Sequence, residues 1–233
     1  MLARGTHRDL ILSAFIFSMI SPKGGVGKTT TAVLLASEFV RCGKNVALIE
    51  LDPNSHLSHW HASGNVSKTV QFYSRPNQTE DAFNALIQDV SSNVDTIIID
   101  TPGAQTAETL WATSFSDVCP LPTTFSPFEV RGALTALDAI QSFNEDDNAP
   151  RCFVIFTREK AAIQPRARRD ILLEFDTAGI PYVLPAILEK EACRQMLTHG
   201  CLLHDLPKHA KVSNIEVAFD NVEALLRNII ASL

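Results

Sequence analysis

Along the chain, short unbroken apolar runs alternate with longer stretches in which apolar residues recur every three or four positions. The short runs at 14–20, 45–50, 70–73, 94–99, 117–121, 151–156 and 180–184 read as strands. The longer stretches at 28–42, 55–62, 79–91, 104–115, 128–143, 165–178, 189–199 and 214–232 read as helices. Runs such as Ala47-Leu48-Ile49 and Ile97-Ile98-Ile99 have no polar position on either face, so they predict strands covered on both sides. Strict strand–helix alternation then predicts an α/β fold: a doubly wound, mostly parallel sheet flanked by helices, with any ligand at the strands' C-terminal ends. Gly43 is placed to cap the first helix and Gly179-Ile180-Pro181 to end a later one. No repeat, low-complexity tract or long linker interrupts residues 1–233, so one domain is expected, with 1–13 as a short leader.

Between the first strand and the first helix lies Ser21-Pro22-Lys23-Gly24-Gly25-Val26-Gly27-Lys28-Thr29-Thr30. Glycines at 24, 25 and 27 permit positive φ, so successive N–H groups can converge on phosphates at a helix N-terminus. Lys28 supplies a point charge to the β- and γ-phosphates, and the Thr29 hydroxyl is placed to ligate Mg²⁺. The run departs from G-x-x-x-x-G-K-[ST], because Pro22 holds the first glycine position and Lys23 stands inside the loop. Arg4, His7 and Arg8 followed by Leu10 to Ile20 superficially resemble a secretion signal, but the phosphate loop begins at once, and cleavage there would destroy it. Two apolar strands end in carboxylates, Glu50 and Asp52 after 45–50 and Asp100 after 94–99, where a parallel sheet meets its ligand.

The loop resembles the deviant Walker A motif, K-G-G-x-G-K-[ST], of the ParA/MinD superfamily of P-loop NTPases. The resemblance implies ATP and Mg²⁺ as cofactors and phosphate contacts from Lys23 through Thr30. It also implies a dimer in which Lys23 reaches the partner's nucleotide. Glu50-Leu51-Asp52-Pro53 is similar to the family's D-x-D-P segment, with glutamate in place of the first aspartate. By that likeness Asp52 orients the attacking water and helps hold the metal, so Lys23, Lys28 and Asp52 are the expected catalytic residues. Glu50, one methylene longer, is expected to alter how its loop locks onto Lys23 or Lys28 and so to slow hydrolysis. Asp100-Thr101-Pro102-Gly103 matches the Walker B aspartate and the glycine whose N–H senses a γ-phosphate. The expected metal set is therefore Thr29, Asp52 and Asp100. Relatives contact adenine from loops after the later strands, which here places Thr157, Arg158 and Pro185 at the base.

Composition bears on the partners. The net charge of −6 argues against a wholly basic nucleic-acid binder. Yet residues 151–169 hold six basic side chains against Glu159, a local +5 that leaves −11 elsewhere. Arg166, Arg168 and Arg169 at the start of a helix are the expected grip on DNA phosphates, without base reading. Lys190, Arg194, Lys208, His209 and Lys211 extend the patch. The apolar stripe Val222, Leu225, Leu226, Ile229, Ile230 and Leu233 lacks the lysine and arginine excess of a membrane-surface helix, so core packing and no membrane partner are expected. Five widely spaced cysteines without a C-x-x-C pair fit a reducing cytoplasm. His56, His59 and His61 lack a nearby acidic partner and read as surface rather than metal ligands.

The segments around 52–60, 100–103 and 121–129 resemble small partition ATPases without an N-terminal helix-turn-helix domain. Residues 157–169 and 200–203 are also similar to VirC-type accessory ATPases of conjugation. The implied function is an ATP-driven dimer that binds DNA non-specifically on the nucleoid and segregates plasmid or chromosome, with a centromere-binding or other partner stimulating hydrolysis. Positioning of a non-DNA cargo or a relaxosome stays open. So does a metabolic ligase of dethiobiotin-synthetase type, against which Lys23 and Asp52-Pro53 weigh.

Overall fold

The computed structural model describes residues 14–74, 79–143, 149–160 and 166–233. Seven strands form one all-parallel sheet in the order β3-β2-β4-β1-β5-β6-β7. They are β1 Phe15–Met19, β2 Val46–Glu50, β3 Val70–Tyr73, β4 Thr96–Asp100, β5 Val118–Thr123, β6 Arg151–Phe156 and β7 Tyr182–Val183. The helices are α1 Lys28–Arg41, α2 His56–Ala62, α3 Glu80–Ser91, α4 Ala107–Phe115, α5 Pro127–Phe143, α6 Arg166–Ala178, α7 Glu191–His199 and α8 Ile215–Ala231. A 3-10 turn, Leu203–Lys208, has no counterpart among the sequence expectations; Pro207 inside it removes a donor and breaks the apolar period.

Alternating side chains of each strand feed opposite faces. Phe17, Leu48, Ile98 and Ile155 pack under α1, α2, α7 and α8. Ile16, Ala47, Ile97 and Ile99 pack under α3 and α4, while Leu121, Val154 and Phe156 pack under α5 and α6. This two-sided cover is why the strands read as unbroken apolar runs. The α8 stripe follows the packing expectation: Val222, Leu225, Leu226 and Ile229 are buried on α1 and the sheet, and only Ile230 is largely exposed. No helix among the described residues is long and apolar enough to cross a membrane.

Helix α1 begins at the left-handed Gly27 and ends at Gly43, whose φ of 77° lets Gly43 N–H reach the Val40 carbonyl and Lys44 N–H the Phe39 carbonyl. Its N-terminus therefore points out of the sheet where β1 lies between β4 and β5. The chain leaves β1 toward one edge and returns through β4 toward the other, so this is the topological switch point, where an open α/β sheet forms its crevice.

Candidate nucleotide site

The loop between β1 and α1 is held from three directions. Thr157, one residue past β6, donates its hydroxyl to the Val26 carbonyl at 2.7 Å and to the Thr123 carbonyl at 3.1 Å. Gly103, past β4, lies so close that an added Cβ would stand 2.8 Å from the Gly24 nitrogen and 3.1 Å from the Lys23 carbonyl carbon. Only glycine fits there, because the obstructing atoms are backbone. Gly25 and Gly27 take φ of 82° and 97°, the left-handed region that turns successive N–H groups into one concavity.

The two lysines of the loop are placed differently. Lys28 is 5% exposed, and its ammonium donates to the Lys23 carbonyl at 3.3 Å. Burial lowers its pKa, against the pull of Asp100 and Asp52. Lys23 is 59% exposed and pairs with Glu129 of α5 at 3.1 Å. Burial alone would raise the Glu129 pKa, but hydrogen bonds from Thr124 and Lys23 and the charge of Arg158 bring it below the usual carboxylate value.

Asp100 is fully buried at the end of β4, beside Glu50 in the β2–β4 register. Its Oδ2 accepts the Thr29 hydroxyl at 2.5 Å, while Oδ1 is buried with no partner. Burial raises its pKa to about 7, opposed by Thr29 and Lys28 and reinforced by the negative charges of Asp52 and Glu50. A buried carboxylate with an orphan oxygen beside a threonine hydroxyl is a donor set suited to a hard, oxygen-seeking divalent cation. Asp52, 7% exposed, folds back on its own turn: Oδ1 accepts the Asn54 backbone N–H at 2.9 Å and its side-chain amide at 2.8 Å.

The Glu50 carboxylate bonds neither Lys23 nor Lys28. It turns to the start of α2, where Oε1 accepts Leu57 N–H at 2.6 Å and Oε2 accepts Ser58 N–H at 3.1 Å together with the Ser58 hydroxyl. The extra methylene serves a helix cap.

Beside the loop opens a cavity of about 340 Å³ lined by Gly27, Thr30, Thr157, Arg158, Ile187–Lys190 and the α7 residues Cys193, Arg194 and Leu197. Thr157 and Arg158, which the resemblance assigns to the base, line this cavity beside Thr30, and Arg158 takes a left-handed φ of 56°. Pro185 is not in the lining. The same connection between β7 and α7 contributes Ile187 to Lys190 instead, and α7 adds Cys193, Arg194 and Leu197, a contribution no local motif announced.

The three arginines of α6 divide. Arg166 is exposed and Arg169 is 90% exposed. Arg168 turns inward, pairs with Glu159 at 2.5 Å and lies over the Phe125 ring at 5.4 Å, so it is not a free phosphate contact. Of the expected extensions, Arg194 sits between Glu189 and Glu191, and Lys208 pairs with Asp205. His61 stacks on Phe72 at 4.5 Å, and the His59 ring meets the Ser55 carbonyl; no set of three or more metal-binding side chains gathers among the described residues. The five cysteines are free thiols.

A parallel sheet with a glycine-rich loop at its switch point, a buried lysine and an orphaned strand-end aspartate defines a phosphate-loop nucleotide-binding protein. The profile of the CobQ/CobB/MinD/ParA nucleotide binding domain matches residues 17–228. The chain belongs to this family, the ParA/MinD superfamily of ATPases. It is 27% identical over 214 residues to the protein ParA of Rhizobium radiobacter, spanning 91% of this chain and 95% of that one. With the protein virC1 of Rhizobium rhizogenes it shares 23% identity over 194 residues, 80% of this chain and 82% of the relative. Among solved structures, a putative plasmid partition protein of Borrelia burgdorferi bound to AMPPNP superposes with a TM-score of 0.70 at 18% identity, covering 94% of this chain and 100% of the other.

Proposed function

We propose that this chain is an ATP-hydrolysing switch that dimerises on ATP and binds DNA non-specifically. In this reading it drives DNA partition in the cytoplasm, on the nucleoid, and a partner protein stimulates its turnover. The observation that carries the reading is the unlike placement of the two lysines. Lys28 is sunk in the cradle, where it neutralises the nucleotide bound to its own protomer. Lys23 extends from the same loop with its ammonium at the surface, tethered among the described residues to Glu129 alone, which leaves it free to serve a nucleotide across an interface. An exposed ion pair of this kind contributes about 0–1 kcal/mol, so releasing it opposes dimerisation weakly.

Thr29, Asp100 and Asp52 would hold Mg²⁺, for which the orphan Oδ1 of Asp100 is the fitting observation. Held there, the ion would supply positive charge against the charge of the phosphates. The loop amides and Lys28 fix the phosphates, the Gly103 segment lies against the loop where a terminal phosphate would press, and Asp52 aims the water. The base enters the cavity between Arg158 and α7. Arg166 and Arg169 contribute phosphate contacts that a dimer doubles. Relatives named for chromosome partitioning, matched over 58 and 41 residues, support DNA as cargo; the likeness to virC1 over most of both chains supports a second reading, in which the same switch serves a conjugation complex.

The test is oligomeric state by light scattering with ADP and with ATP, on wild type and Asp52→Ala, followed by binding to random duplex at two salt concentrations. A dimer confined to ATP, trapped by Asp52→Ala, and salt-sensitive DNA binding confined to it are the expected results. A monomer in every state overturns the switch. A dimer blind to DNA moves the reading to the other cargo.

A further inference from the structure

Helix α2 follows Asp52 by three residues, and its first turn lacks the usual cap. Ser55, the residue before it, is left-handed at φ 56° and its side chain accepts no helix N–H. The free N–H groups of Leu57 and Ser58 are taken instead by Glu50, from the end of β2, with the Ser58 hydroxyl as a third bond. Glu50 is 1% exposed, and removing one partner of a buried charged pairing costs far more than removing an exposed one.

The Glu50 contact closes a small ring of chain. Leu51 N–H bonds the Asp100 carbonyl at 2.9 Å, which ties the ring to β4. Ser55 N–H bonds the Asp52 carbonyl at 3.1 Å, and Asn54 bonds the Asp52 carboxylate, so Asp52 stands inside the ring. The other end of α2 cannot slide to compensate. The Trp60 indole donates to the Cys201 carbonyl at 3.1 Å, and Asn65 donates to the His199 carbonyl at 2.8 Å. A Cβ on Gly200 would stand 2.2 Å from the Ser63 Cβ and 2.3 Å from the Trp60 carbonyl oxygen, so α2 and α7 are pressed to contact there.

We infer that Glu50 is a positioning residue for hydrolysis: by capping α2 from the neighbouring strand end, it holds the Asp52 turn in the one place from which Asp52 can aim water at the nucleotide. The inference rests on the reading of Asp52 given above and adds the element that orients it. Lys28, Thr29 and Asp100 receive no bond from Glu50, so nucleotide binding stands largely apart from this clamp. An aspartate at 50, shorter by about 1.5 Å, one carbon–carbon bond, reaches one helix N–H but not both without drawing α2 toward the sheet.

The experiment uses the full chain with magnesium and ATP. It measures steady-state turnover, equilibrium binding of a fluorescent ADP analogue, and amide hydrogen exchange across 51–60 in wild type, Glu50→Gln, Glu50→Asp and Ser58→Ala. Glu50→Gln is expected to lower kcat about 10-fold or more, the scale of one lost charged hydrogen bond. Its ADP affinity should stay within about 3-fold, while the amides of Leu57 and Ser58 exchange faster. Glu50→Asp should recover part of the rate, and Ser58→Ala, which leaves the charge and both N–H bonds, should lose about 2- to 3-fold. Unchanged kcat in Glu50→Gln overturns the inference, as does unchanged exchange at Leu57 and Ser58, or ADP affinity falling in step with kcat. Ser58→Ala covers the case in which Glu50→Gln does not fold, since an unaltered rate and unaltered exchange there also overturn it. A wild type that never turns over ATP, alone or with duplex DNA, sinks the functional reading itself. Turnover in wild type with no effect at Glu50 sinks this inference alone.

Discussion

The phosphate cradle and the arginine face of α6 are built by opposite means. In the cradle every group is braced by another element: Thr157 from β6, Gly103 from β4, and Asp100 bonded to Thr29. On α6, Arg166 and Arg169 project to solvent, and the one arginine with a firm position, Arg168, has it because Glu159 and Phe125 take it out of the surface. A ligand held by backbone geometry demands particular residues at particular spacings, whereas a ligand held by summed charge demands only density. The first kind of site makes a motif, and the second makes a composition.

The largest expected effect tests the braced side. Lys28→Ala removes the buried counter-charge to the phosphates, and ATP turnover per KM should fall at least about 1,000-fold, measured by phosphate release. Gly103→Ala asks whether close backbone approach alone matters. With a Cβ directed at Gly24 N, the loop must move, and nucleotide affinity should drop about 10- to 100-fold by titration calorimetry; an unchanged affinity would break the account of the cradle.

Asp100→Asn probes what the cradle costs the empty protein. The Asp100 pKa lies near 7 in the folded chain, above its unfolded value, so the carboxylate opposes folding once ionised: the penalty is absent below about pH 4, grows through pH 7, and is complete above it. Asn at 100 should therefore stabilise the nucleotide-free protein by roughly 1–3 kcal/mol at pH 8 and by little at pH 4, read from urea unfolding. It should also lower turnover and raise the magnesium concentration needed to support it.

The arginine face is expected to give smaller, graded effects. Arg166→Glu with Arg169→Glu should weaken duplex binding at least about 10-fold and lower the salt slope of the dimer by about 4, about one for each of its four arginines, without changing nucleotide affinity. Arg168→Ala should leave the salt slope unaltered and instead cost about 1 kcal/mol of stability, through Glu159 and the Phe125 ring. If Arg168→Ala proved to be the DNA-defective variant, the distinction drawn between the two regions would fail.

The alternation of strands and helices, the loop, and the strand-end carboxylates are all legible in the sequence, because each is local and its period or spacing carries the physics. What escapes is long-range. Nothing near Glu50 announces that its carboxylate caps a helix starting six residues later, since the same spacing serves a contact to Lys28. Nothing near Arg168 announces Glu159, nine residues earlier, as its partner. Part of the wall of the cavity beside the loop comes from α7, far from the loop in sequence, and Pro185 is expected there only because it follows the last strand. The 3-10 turn at Leu203–Lys208 is hidden because one proline breaks its helical pattern.

Trp60 is one of only two tryptophans in the chain. It rides on α2, 2% exposed, with its indole N–H bonded to Cys201. Trp111 lies on α4 under the opposite face of the sheet, stacked on Phe83. The protein thus carries its own optical gauge: a shift of α2 wets one indole and moves its emission to longer wavelength, while the other stays as a steady background. Any displacement of α2 on adding nucleotide, in wild type or with α2 released by Glu50→Gln, can then be timed by stopped flow in the unlabelled protein, with Trp60→Phe as the blank.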